Sequence, residues 1–216
     1  MRKVERADPP GSFEASVSTP GNAWLKKQAW YDDQHPEKCY PKPVATKDFP
    51  PTWRNILHEI HQIYHGICSY YGIYIPPILG AATVDHFLPK SLYPGLAYKW
   101  SNYRLACSLA NRRKGQKTGL IDPFDIEGNW FYLDFTTFIP YANPELSDHL
   151  RTQIQTTIHA LGMDKADYTE SLKSYYESYL RGEVEAEYLE NKAPYLWSEI
   201  VRQGMFRRVV VPRNIT

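Results

Sequence analysis

Between Val84 and Lys117 the chain reads VDHFLPKSLYPGLAYKWSNYRLACSLANRRKGQK. Asp85-His86, Asn102 and Asn111 follow one another there, ahead of a basic cluster of Arg112, Arg113, Lys114 and Lys117. Packing alone does not ask for these types in this order. Phosphodiester hydrolysis does, because it needs a nucleophilic water, a base for its proton, and positive charge beside the phosphate and the leaving oxygen. An imidazole titrates near neutral pH, which nominates His86 as the base. A divalent cation supplies charge, and a hard ion such as Mg²⁺ prefers oxygen ligands. Asp85 and the side-chain carbonyl of Asn111 are such ligands, with water and phosphate completing the shell. Asn102 would hold the imidazole in a useful orientation. Arg112, Arg113, Lys114 and Lys117 could meet backbone phosphates.

Each residue also has a plainer reading. Asn102 after Ser101 suits a turn, and Asn111 could be an exposed helix position. The basic cluster could be a solvated helix end favoured by the dipole. The ordered set, more than any member, favours catalysis. Neighbouring strand residues point to opposite faces, so Asp85 and His86 share a site only where the strand ends or bulges. Pro89 just downstream is compatible with that.

The elements that must position these residues follow from the apolar pattern. Residues 1–21 are rich in Pro, Gly and Ser and read as an extended arm. Trp24 to Tyr31 suits a short helix, and the proline-rich stretch 32–51 a loop. From Thr52, the positions Trp53, Ile56, Leu57, Ile60, Ile63 and Tyr64 keep a helical period. Cys68–Ile75, Ala81–His86, Tyr103–Cys107 and Trp130–Phe135 read as strands. Asn111 to Lys114 belong to a helix closed by Gly115. Leu146, Leu150, Ile154, Ile158 and Leu161 mark a helix ending at Gly162. Asp164 would cap another, running to about Leu180, and Pro194 would open a last one. The expected class is α+β: an arm and loop over 1–51, a core with its preceding helix over 52–136, and a helical region over 137–216.

Bulk properties exclude little. The 216 residues are 43% hydrophobic and carry a formal net charge of +1, so nucleic-acid binding would have to come from local clusters. A second basic group, Arg202, Arg207, Arg208 and Arg213, lies near the C-terminus, and Arg207 and Arg208 read as surface or partner contacts. The start has no signal-like apolar stretch, and no segment approaches a membrane span. Cys39, Cys68 and Cys107 are widely spaced and odd in number, which argues against a disulfide framework. The expectation is a cytoplasmic protein.

The segment resembles the HNH endonuclease family, whose ββα-metal core is a two-stranded ribbon followed by a helix. The family's Asp-His pair matches Asp85-His86, its middle Asn matches Asn102 in WSNYRLAC, and its closing Asn matches Asn111 in NRRKG. The opening MRKVER, the phrase DHFLPKS, the DPF at Asp122 to Phe124 and the late PYLWSEIVRQG resemble a narrower group. These are HNH effector nucleases of Septu-type and retron-linked bacterial anti-phage systems. The resemblance is specific over roughly residues 60 to 130. It implies DNA as substrate, Mg²⁺ or Mn²⁺ as cofactor, and an ABC-like ATPase partner docked on the helical C-terminal region. Two departures accompany it. The pairs of cysteines that bind a structural zinc in many HNH proteins are reduced here to Cys68 (with Tyr71) and Cys107 (with Ala110), and tetrahedral zinc wants four ligands; no structural zinc is expected. Gly115 stands where a third ligating His is customary, which implies weak, partly water-mediated metal binding. The competing expectation is a non-catalytic nucleic-acid-binding or adaptor module on a degenerate HNH core.

Overall fold

A computed structural model describes residues 1–77 and 81–207 of the chain. It is a mixed α+β structure in which short antiparallel ribbons are framed by helices. Strand β1 (Ala82–His86) pairs with β2 (Tyr103–Cys107), so that Val84 faces Leu105 and His86 faces Tyr103. Helix α3 (Ser108–Lys114) follows β2 without a linker and packs back on both strands. The Cys107 sulfur caps it by accepting from the Ala110 amide, and Gly115 ends it at φ 53°.

Ahead of the ribbon, a 3₁₀ turn (Thr52–Ile56) leads into helix α2 (Leu57–Ile63). Its apolar period places Ile56 and Ile60 fully inside the core, each contributing about 1.5–3 kcal/mol by burial. Beyond α3, strands β3 (Phe131–Leu133) and β4 (Pro140–Ala142) form a second small ribbon. Helices α4 (Asp148–Leu161), α5 (Ala166–Leu180), α6 (Ala186–Lys192) and α7 (Pro194–Gln203) complete the chain. Gly162 closes α4 in the left-handed conformation and Pro194 opens α7, as the sequence suggests. Ile154, Ile158 and Leu161 of α4 share one continuous core with β1, β2 and α7. No helix among the described residues is long and apolar enough to cross a membrane.

Several elements differ from expectation. The first helical segment begins earlier: a π turn (Glu14–Ser18) runs into α1 (Thr19–Leu25), and residues after Lys26 form turns. Pro20 lacks an N–H and falls in the first turn of α1, where that donor is not needed. The arm before it is pinned, not free. Met1 and Phe13 are buried, the Val4 amide donates to the Pro123 carbonyl, and the Trp100 indole donates to the Ala7 carbonyl. Cys68–Ile75 is not a strand but a tight turn closed by a single Ile67–Tyr74 bridge, with Gly72 at positive φ. Its aromatic residues Tyr70 and Tyr71 are core side chains. Asp164 does not cap α5; its carboxylate binds His159 Nδ1 at 2.7 Å.

Candidate active site

One cleft of about 280 Å³ is lined by Asp85, His86 and Asn111, together with Thr46, Trp53, Lys90, Ser91 and Gly115. Strand alternation is kept within it. Asp85 turns toward α3 and the Cys68–Ile75 turn, while the His86 ring meets Tyr103 edge-on, with centroids 5.2 Å apart. Both reach the same space because β1 stops at His86.

His86 Nε2 lies 2.9 Å from the Ala97 carbonyl. A carbonyl can only accept, so Nε2 carries the hydrogen and Nδ1 keeps its lone pair. Burial lowers the imidazole pKa to about 3, helped by the charge of Lys90 and, less, of Lys114, and opposed by the Ala97 bond. The ring is therefore neutral at physiological pH and free to accept a proton. So low a value departs from the near-neutral titration expected from the residue type and makes it a weak base, since a general base works best with a pKa near the operating pH.

Asp85 is 3% exposed and already partnered. It accepts from the Tyr70 hydroxyl, and Lys114 Nζ lies 3.1 Å from Oδ2 and 3.3 Å from Oδ1. Burial raises the Asp85 carboxyl above its ordinary range, and Lys114 and Tyr70 pull it back. Burial likewise lowers the Lys114 ammonium, and Asp85 opposes this. Each charge thus offsets the desolvation of the other.

Asn111 Nδ2 donates to Thr83 Oγ1 at 2.8 Å and to the Val84 carbonyl at 3.4 Å. These bonds tie α3 to β1, and they use the amide nitrogen and not its oxygen. Asn102 behaves differently from expectation: its side chain does not touch the imidazole. Oδ1 accepts from Leu88 N at 2.8 Å, and Nδ2 donates to the Leu88 and Leu96 carbonyls at 2.9 and 3.2 Å. It braces the loop between β1 and β2, and that loop presents the Ala97 carbonyl to His86. Asn102 is a positioning residue acting through backbone.

The basic cluster also divides. Lys114, expected at a phosphate, is fully buried and donates to the His86 carbonyl at 2.9 Å as well as pairing Asp85. Arg113 binds the Tyr71 hydroxyl at 3.2 Å, the Gly162 carbonyl at 3.3 Å and Asp167 at 2.7 Å. It joins α3 to α4 and α5 and is not free for phosphate. Arg112 and Lys117 are exposed, although Lys117 Nζ also meets the Arg113 carbonyl. Arg202 and Arg207 pair with Glu199 and Glu185; Arg208 and Arg213 lie outside the described residues.

Two further residues carry no signal in the sequence: Tyr70, which donates to Asp85 from within the stretch expected as a strand, and Arg104. Arg104 is 2% exposed, pairs with Asp122 through two nitrogens, and lies 3.8 Å over the Phe124 ring. Asp122 also accepts from Phe124 N at 3.0 Å, bracing the turn at Pro123. Cys68 and Cys107 come within 3.9 Å of each other. Tyr71 is bonded through its hydroxyl to the Leu161 carbonyl, and Ala110 is buried.

No group of three or more His, Cys, Asp or Glu among the described residues is arranged for a metal ion. Asp85 and Asn111, a carboxylate and an amide, line the same cleft, and a hard divalent ion accepts such donors when water and phosphate supply the remaining ligands. The Asp85 carboxylate, buried and engaged by Lys114 and Tyr70, would have to share an oxygen with such an ion. No family model and no curated protein matches this sequence.

Proposed function

We propose that this protein is a metal-dependent endonuclease that hydrolyses DNA phosphodiester bonds, built on an HNH-type ββα core. The observation that carries the reading is that one cleft is lined by a neutral His86, with Nδ1 unbonded, by Asp85 and by Asn111. In it His86 takes the proton of the attacking water at Nδ1. The Ala97 carbonyl fixes the ring through Nε2, and Asn102 fixes the loop that bears Ala97. Asp85 and Asn111 would hold Mg²⁺ or Mn²⁺. Bound there, such an ion supplies charge stabilisation beside the phosphate. Arg112 and Lys117 are the exposed cations of the cluster left to meet flanking phosphates.

The narrower proposal, a cytoplasmic effector of Septu- or retron-type defence whose ATPase partner docks on α4 to α7, rests on the sequence resemblance. One observation favours a second reading, the non-catalytic module. The Asp85 carboxylate is already satisfied by Lys114 and Tyr70, and a core that only binds would need nothing more.

Plasmid DNA incubated with the chain and Mg²⁺ or Mn²⁺, with and without a genomically adjacent ATPase, separates these. Metal-dependent cutting should fall at least about 100-fold in His86→Ala, the usual worth of a positioned base. Equal cutting by the variant would remove His86 from the mechanism. Binding without cutting under every condition would favour the non-catalytic module.

A further inference from the structure

With Lys114 and Arg113 engaged inside the fold, the cleft needs another source of positive charge. Lys90 is the one lysine or arginine among its described lining residues. It makes no ion pair with the described acidic residues; its ammonium instead lies 5.2 Å from the centroid of the Phe49 ring. That ring is stacked between Trp30 and Tyr98. The neighbouring backbone is anchored too, since Val44 N donates to the Ser91 carbonyl at 2.9 Å and Tyr40 N to the Leu92 carbonyl at 2.7 Å.

Next to Lys90, Ser91 is 2% exposed and its Oγ has no hydrogen-bond partner. A buried hydroxyl without a partner is costly and calls for an explanation. An unpaired, partly desolvated cation calls for an anion. Asp85, the carboxylate on the same cleft, is already committed to Lys114.

We propose that Lys90 and Ser91 form a phosphate subsite of the cleft, Lys90 supplying the charge and Ser91 a donor, so that a backbone phosphate of the nucleic-acid substrate is held beside His86. This rests on the nuclease reading and names the residues by which that site would grip its substrate. Trp53, half-buried on the same cleft, bounds the subsite on an apolar side.

The test uses the full chain carrying His86→Ala, with Mg²⁺ held constant and a short fluorescein-labelled DNA duplex read by anisotropy over a salt series. Adding Lys90→Met should weaken binding and flatten the plot of log K against log salt by about 0.9, the value of one lost phosphate contact on B-DNA. Lys90→Arg should keep the slope. Lys90→Gln carries the same test if methionine destabilises the fold. Ser91→Ala should weaken binding while leaving Tm unchanged or raised, because it deletes an unsatisfied hydroxyl; a merely structural serine would lower Tm. If the His86→Ala chain binds DNA and Lys90→Met and Lys90→Gln leave the slope unchanged, the subsite is wrong and the nuclease reading stands. If the His86→Ala chain binds no DNA, the nucleic-acid reading fails and the subsite with it.

Discussion

Replacing Lys114 with methionine tests whether the ion pair beneath the cleft is as closed to water as the structure has it. The substitution keeps most of the apolar stem and deletes the ammonium. The Asp85 carboxylate, 3% exposed, is then left with the Tyr70 hydroxyl, and the His86 carbonyl loses its Lys114 bond. Removing one partner of a buried pair costs about 3–5 kcal/mol, a large share of the roughly 5–15 kcal/mol by which domains are stable. At about 2–4 °C per kcal/mol for a chain of this length, Tm should drop by roughly 6–20 °C. The loss should also depend on pH. Burial already lifts the Asp85 carboxyl above its ordinary range, and Lys114 is the leading influence that restrains it. In the variant the folded-state pKa rises further above the unfolded one, so the native state holds its proton more tightly, and stability increases as pH falls through that pKa and levels off below the unfolded value. Urea unfolding followed by circular dichroism in EDTA, at neutral and mildly acidic pH, measures both effects. A loss below about 1 kcal/mol, the scale of an exposed pair, with no recovery in acid, would refute the buried-pair reasoning.

Asn102→Ala deletes three side-chain bonds to the backbone of the loop between β1 and β2. At about 0.5–1.5 kcal/mol each, it should destabilise by roughly 2–4 kcal/mol and speed hydrogen exchange at the Leu88 amide; unchanged Leu88 protection would rule out the bracing role. At Cys107, hydrogen bonding from Cys68 leads the influences that bring the thiol down to about 7, against the effect of burial, whereas burial pushes the Cys68 thiol up. Iodoacetamide labelling read by mass spectrometry should therefore modify Cys107 before Cys68, with a pH midpoint of about 7. Labelling of Cys107 only near the ordinary thiol value of about 8.5 would contradict this.

The elements with long, regular patterns were legible from residues. Ile56 and Ile60 face the core from the helical region expected after Thr52, Gly162 and Pro194 bound their helices, and β1, β2 and α3 occur at the expected places. Cys68–Ile75 misled because buried aromatic and β-branched residues serve a packed turn as well as a strand. Asp85, His86 and Asn111 were brought to one cleft, as their order suggested. The local text could not show that the Asn102 amide reaches Leu88 and Leu96, because that depends on how the intervening loop folds back.

Residue type and spacing by themselves determined which groups could act: a base, oxygen donors and a run of cations on a ribbon and helix. Tertiary structure decided which remained available. Arg113 and Lys114 follow Arg112 in sequence, yet the helical rotation turns Lys114 toward Asp85 and Arg113 toward α4 and α5. Lys90, inconspicuous in a loop, lines the cleft. A charge's role is set by its partners and its contact with water, and both are properties of the folded neighbourhood.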